Sequence, residues 1–227
     1  MNSISVSEAV DRRMSVRGFL PKPVPCETVR EILDKARRAP SGGNVQPWKV
    51  DVIAGEALSK FNAVIAEKLQ TMEAEPAQYE VYPPKLWEPH RSYRYKTGED
   101  LYALINIPRE DKMGRLRQLA ENFRFFGAPV GLFFSLHKKF GPPQWSDIGM
   151  YMQTVMLLAT ERGLDTCAQE AWSRYPETIK SFCGLDDDAV VFSGMAMGYR
   201  DPHHPLNRLR TDRASLDVIA TFHGFED

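Results

Sequence analysis

Apolar residues recur along this chain with two periods, and each change of period marks a boundary between elements. A short helix at the amino end is announced by the capping box Ser5-x-x-Glu8. Val29, Ile32, Leu33 and Ala36 then fall at i, i+3, i+4 and i+7, the stripe of an amphipathic helix. Pro40 ends that helix, because a proline drives the residue before it out of the α region. From Trp48 to Val52 apolar and polar positions alternate with period two, as in a half-buried strand. Helical spacing returns after Gly55 with Leu58, Phe61, Ile65, Leu69 and Met72. It recurs over Arg115 to Phe126, with Leu116, Leu119, Ala120 and Phe123 expected inward, until Gly127-Ala128-Pro129 breaks it.

The second half is more continuously apolar. Val130 to Leu136 reads as a buried strand, and Asp147 to Thr160 as a helix apolar nearly all the way round. Such a helix needs burial on most faces, within the domain or at a subunit interface. Leu164 to Gln169 leads into a Glu170-Ala171-Trp172 turn, and Pro176 to Gly184 forms a short helix. Ala189 to Tyr199 is expected as a central strand, with glycines where backbone or ligand comes close. A polar loop from Arg200 ends in Leu216, Ile219, Phe222 and Phe225, which in a monomer must fold back. Glu73 to Gly98 shows no period. It is rich in Pro, Tyr, Trp and Arg, so an irregular lid or a surface meander is expected there.

Composition narrows the class. With 227 residues, no internal repeat and no low-complexity linker, a single domain over 1–227 is expected. The hydrophobic fraction is 43%, the charged fraction 26% and the net charge −1, so bulk electrostatics point to neither nucleic acid nor an anionic membrane. No apolar run approaches the roughly 18 residues of a membrane span, and the first residues do not resemble a signal peptide. Three cysteines, Cys26, Cys167 and Cys183, show no metal spacing, and His203-His204 has no partner at ligand spacing. Reduced thiols and a cytoplasmic location are expected, with no metal.

Two stretches carry candidate chemistry. Pro40, Ser41, Gly42 and Asn44 lie in a small polar loop that suits close approach of a flat ligand, or is an ordinary helix-to-strand turn. Arg13, Ser15 and Arg17 alternate at a helix exit, where guanidinium groups and a hydroxyl can clamp a phosphate, or merely cap a helix dipole. No Gly-x-Gly-x-x-Gly follows a strand, and Ser41 and Ser193 lack a nucleophile elbow.

Arg-x-Ser-x-Arg-x-Phe (Arg13 to Phe19), Ala-Pro-Ser-Gly-x-Asn-x-Gln-Pro-Trp (Ala39 to Trp48), Gly163 to Trp172 and Asn207 to Arg213 together resemble the FMN-dependent nitroreductase family, in its nitrobenzoate-reductase-like branch. The resemblance runs from about Val6 to Phe225. It implies an α+β, three-layer α/β/α fold with a mixed, mostly antiparallel sheet. It also implies a homodimer whose C-terminal extension is exchanged. FMN is the implied cofactor. Arg13, Ser15, Arg17, Arg210 and Arg213 would hold its phosphate and ribityl end. Pro40, Ser41, Gly42 and Asn44 of the second subunit would approach the ring, with Gln169, Glu170 and Ala171 opposite. Arg91, Tyr93 and Arg94 are the lid residues proposed to meet substrate, and Trp87, His90 and Tyr95 lie in the same segment. The implied activity is ping-pong reduction of nitroaromatic or quinone-like acceptors with NAD(P)H, without a protein nucleophile. Other readings are a reductive dehalogenase or flavin-fragmenting relative on the same fold, and a flavin-binding protein that does not turn over.

Overall fold

The computed structural model describes residues 4–71, 73 and 75–225. In chain order the helices and strands are α1 (Val6–Arg12), α2 (Cys26–Ala36), β1 (Lys49–Ala54), α3 (Gly55–Thr71), α4 (His90–Leu104), α5 (Lys112–Ala120), β2 (Val130–His137), α6 (Pro142–Glu161), β3 (Asp165–Gln169), α7 (Pro176–Cys183), β4 (Ala189–Gly198) and the single turn α8 (Leu216–Ile219). The strands form one sheet in the order β1-β2-β4-β3, and every pairing between them is antiparallel. The expected mixed character survives only as one isolated parallel bridge, Ser15 to Thr166.

The long apolar runs in β2 and β4 exist because helices cover both faces of the sheet. Val130, Leu132, Phe134 and Leu136 of β2 face α2 and α6, packing with Val29, Ile32, Ile148 and Val155. Phe133 faces the other way, toward Phe61 and Ile65 of α3 and Ile179 of α7. Trp172 is fully buried in that second layer, among Phe61, Phe123, Phe125 and Phe133. Gly194 is what admits it, since a Cβ there would lie 2.1 Å from the indole. The close neighbour at this glycine is therefore a core side chain, not a ligand.

Several expectations need correction. The helix over 115–126 stops at Ala120, because Glu121–Gly127 is a tighter turn in which Phe125 and Phe126 take φ of 50° and 53°. Those two phenylalanines enter the core, while Leu116 and Leu119, expected inward, are 55% and 43% exposed. The end of the expected irregular segment, from His90 to Gly98, is helical, since α4 begins directly after Pro89. The prolines all precede it, and at a helix start the missing N–H has no intrahelical partner to lose. No residue of α4 is buried, so apolar periodicity had nothing to report. Met72, assigned to the stripe of α3, lies outside the described residues. The C-terminal tail does not fold back: Leu216, Val218, Ile219, Phe222 and Phe225 are 56–79% exposed. Among the described residues, no helix is long and apolar enough to cross a membrane.

Candidate active site

Met14 and Val16 are buried in an extended segment that runs beside β3, with the Val16 N–H donating to the Thr166 carbonyl at 3.0 Å. Alternation then turns Arg13, Ser15 and Arg17 to the opposite side, toward a cleft of about 1060 Å³. Asn207 fixes this segment: its Oδ1 accepts from the Arg17 N–H at 2.8 Å, and its Nδ2 donates to the Gly18 carbonyl at 2.7 Å. The chain that follows Asn207 brings Arg210 and Arg213 to the same cleft.

Three of these four arginines are held by oxygens that carry no charge. Arg17 Nη1 donates to the Ser15 carbonyl at 3.2 Å and Arg210 to the Asp11 carbonyl at 3.3 Å. Arg213 donates to the Thr211 hydroxyl at 2.7 Å and to neighbouring carbonyls. Among the described residues, none of the four pairs with a carboxylate. Burial pushes the Arg13 guanidinium below its ordinary pKa, and Arg213 and Arg210 push it further the same way. Converging, unneutralised cations with a hydroxyl among them form a site built for an anion with several oxygens.

The other wall is the segment after α3, whose root is tied down. Glu75 accepts from the Glu177 and Thr178 N–H groups at the start of α7, at 2.7 and 3.1 Å. Where β3 ends, β4 exposes an edge, and Gln78 fills it by accepting from the Val191 N–H and donating to the Ala189 carbonyl, at 2.8 and 2.9 Å. Tyr79 donates to the Phe192 carbonyl, and burial pushes its phenol up to about 12. Beyond this anchor the chain delivers Tyr82, His90, Tyr93 and Arg94 to the cleft. The Arg94 guanidinium sits 4.3 Å from the centre of the Tyr82 ring. Burial, then the Glu170 carboxylate, raise the Tyr82 phenol above its ordinary value. Lys96 of α4 bridges to Asp212 at 3.0 Å, tying this wall to the loop that carries Arg210 and Arg213.

One chain thus brings together Arg13, Ser15, Arg17, Tyr93, Arg94, Arg210 and Arg213. Arg91 does not join them. It pairs with Glu88 at 2.6 Å and does not line the cleft. Gln169 is buried with its side chain occupied by the Asn122 carbonyl at 2.7 Å and by Trp172 Nε1 at 3.3 Å, so that side chain is not available to a ligand. Glu170 is exposed and next to Tyr82, while Ala171 is half-buried against the α3 layer. Pro40, Ser41, Gly42 and Asn44 lie apart from the cleft, on α6, where the Gly42 N–H meets the Asp147 carboxylate. Sequence reasoning missed Tyr82, Lys96 and the positioning role of Asn207. Only proximity in the fold singles them out.

Fold and cleft together define an α+β domain with a cleft lined by four arginines and a serine. Residues 10–199 match the Nitroreductase family, and the chain belongs to that family. It is 38% identical over 217 residues to a 4-nitrobenzoate reductase of Pseudomonas putida, covering 96% of this chain and 95% of that one. A nitrobenzene nitroreductase of Ectopseudomonas oleovorans is 36% identical over 222 residues, covering 96% of each. Among solved structures, the FMN and NADPH-dependent nitroreductase NfnB of Sphigopyxis sp. strain HMH matches with a TM-score of 0.94 at 43% identity, over 98% of this chain and all of that one. The FMN-dependent NfnB of Mycobacterium smegmatis, solved with NADPH, matches with a TM-score of 0.90 at 28% identity, over 97% and 100%.

Proposed function

We propose that this protein is an FMN-dependent oxidoreductase that uses NAD(P)H to reduce nitroaromatic or quinone-like acceptors, working as a homodimer in the cytoplasm. The observation that carries the reading is the set of four carboxylate-free arginines around Ser15, which fits the phosphate of a flavin mononucleotide. Relatives named for nitroaromatic substrates at 34–38% identity favour this over dehalogenation, flavin fragmentation or simple flavin storage.

Arg13, Arg17, Arg210 and Arg213 neutralise the phosphate, and Ser15 donates a hydroxyl to the same end. Glu170 and Ala171, with the Gln169 backbone, flank the ring from this chain. The Pro40–Asn44 loop does not line the cleft of its own chain, and a second copy supplies Pro40, Ser41, Gly42 and Asn44. The exposed apolar tail gives that copy a surface to cover. Tyr82, Tyr93 and Arg94 form the wall that meets an aromatic acceptor, stacking on its ring and excluding water. When bound, FMN would supply the hydride and electron chemistry that links NAD(P)H oxidation to reduction of the acceptor. No side chain acts as a nucleophile; the protein contributes position and electrostatics.

The test is a panel of acceptors on purified, FMN-loaded protein. NAD(P)H oxidation should accelerate on addition of a nitroaromatic and fall to background in the flavin-free protein. Flavin that binds but leaves NAD(P)H oxidation at background with every acceptor would replace this reading with that of a flavin-binding protein.

A further inference from the structure

Asp147 is buried to 4% exposure on α6, whose other buried positions include Ile148, Tyr151, Met152 and Val155. Among the described residues, Lys180 is the other charged residue that is buried as a whole, and it is satisfied by Glu177 and the Asp187 carbonyl. Among the described residues, Asp147 has one hydrogen-bond partner, the Gly42 N–H, which lies 3.3 Å from each carboxylate oxygen. A carboxylate offers about four acceptor positions, and burying one on a single long hydrogen bond is unfavourable. An apolar residue of similar volume would suit α6 better. The helix has no need of this carboxylate, but the loop it touches does.

That loop is conformationally costly. Gly43, Asn44 and Gln46 take φ of 55°, 58° and 48°, so three residues in four are left-handed, two of them bearing side chains. Such a run persists only where its surroundings over-determine it. Ser41 Oγ accepts from the Gln46 N–H at 3.0 Å, and Gln46 Nε2 donates to the Asn44 carbonyl at 3.2 Å. The Asn44 and Val45 N–H groups also donate to the Ser41 and Gly42 carbonyls, at 3.0 and 3.2 Å. Restraint from outside the loop comes from α6. Asp147 holds the front of the loop, and one helical turn later Tyr151 stacks on Trp48 at its end, with ring centres 4.9 Å apart.

We propose that Asp147 is a positioning residue that, with Tyr151, holds the Pro40–Asn44 loop in the one conformation able to receive the flavin ring. The proposal rests on the flavoprotein reading above. A loop ordered before binding spares the complex the entropy of ordering it afterwards. Asp147 itself does not touch the flavin; its effect passes through the Gly42 backbone.

Three variants test this: Asp147→Ala, Asp147→Asn and, as a packing control away from the loop, Ile148→Val. FMN affinity is measured by fluorescence quenching, together with the visible absorption of the bound flavin, the melting temperature and amide exchange at Gly42 to Asn44 in the flavin-free protein. Asp147→Ala should weaken FMN binding by about tenfold to a hundredfold, move the bound-flavin spectrum toward that of free FMN and accelerate exchange in the loop. Asp147→Asn keeps an oxygen that can accept from Gly42 and should recover most of the affinity. Ile148→Val should lower the melting temperature and leave both affinity and spectrum unchanged. The proposal is overturned if Asp147→Ala matches wild type in affinity and spectrum, or if affinity merely tracks melting temperature across the three. Should wild type bind no FMN, the flavoprotein reading fails. Exchange in the flavin-free loop then decides for or against Asp147, with unchanged rates in Asp147→Ala counting against it.

Discussion

Replacing Arg13 by alanine separates two opposite effects. In the flavin-free protein, Arg13 is partly buried and repelled by Arg213 and Arg210, so its removal relieves a local strain of charge. With FMN bound, the same change deletes a charge-assisted hydrogen bond, which contributes about 1.5–3 kcal/mol. FMN affinity should therefore fall by about tenfold to a hundredfold. Ligand at 100 times the wild-type Kd stabilises wild type by about 2.7 kcal/mol, whereas a tenfold weaker variant gains only about 1.4 kcal/mol and a hundredfold weaker one about 0.4 kcal/mol. Thermal unfolding with and without FMN, beside a direct Kd by fluorescence quenching, reads both quantities. The flavin-free variant should melt at or above wild type, and its FMN-induced shift should shrink to half or less. Riboflavin, which has no phosphate, should bind wild type and variant alike, and raised salt should narrow the difference for FMN. An Arg13→Ala protein that binds FMN as tightly as wild type, or loses riboflavin equally, would remove Arg13 from the phosphate site.

Three further outcomes follow from the same geometry. Arg94 lines the cleft and Arg91 does not, so Arg94→Ala should abolish a few-fold kcat/KM preference for carboxylated over neutral nitroaromatics, and Arg91→Ala should leave it intact. That preference corresponds to about 0.5–1 kcal/mol and should shrink with salt; equal rates for both substrate classes in wild type would refute it. Truncation after Arg213 removes the exposed apolar tail and should cost dimerisation and bound FMN together, as read by light scattering; a flavin-loaded monomer of the full chain would refute the exchanged dimer. Burial raises the pKa of Asp51 despite Lys49, so the ionised form is disfavoured in the folded protein. Its cost to stability is present above the folded pKa and vanishes below the unfolded one. Asp51→Asn should therefore raise the melting temperature near neutral pH, with the gain fading as pH falls through the carboxylate range.

Periodicity recovered the elements whose burial is one-sided or complete. The stripe of Val29, Ile32 and Ala36 became α2, and the continuous runs became β2, β4 and α6, because each packs against a layer. It failed at α4, a helix with no buried residue that is held by polar ties such as Arg115 to Glu99 at 2.7 Å. It failed again at Leu116 and Leu119, where helical spacing produces a stripe that the chain leaves in solvent. Of the candidate site, Arg13, Ser15 and Arg17 were legible as a local motif, since strand alternation alone puts them on one side. Arg210 and Arg213 came from the resemblance and are brought there by the Asn207 clasp, nearly two hundred residues along the chain from Arg17. Tyr82 carries no local signal at all. Its place depends on Gln78 and Tyr79 closing the free edge of β4.

An anaerobic titration shows whether one cleft serves both halves of a flavin-mediated electron transfer. FMN-loaded protein is mixed with one equivalent of NADPH or NADH, the spent nicotinamide is removed, and a nitrobenzoate is added while flavin absorbance near 450 nm is followed. The account predicts that absorbance bleaches on the first addition and returns on the second, with no nicotinamide present. An absorbance that never bleaches, or that bleaches and stays bleached with every nitroaromatic, would contradict it.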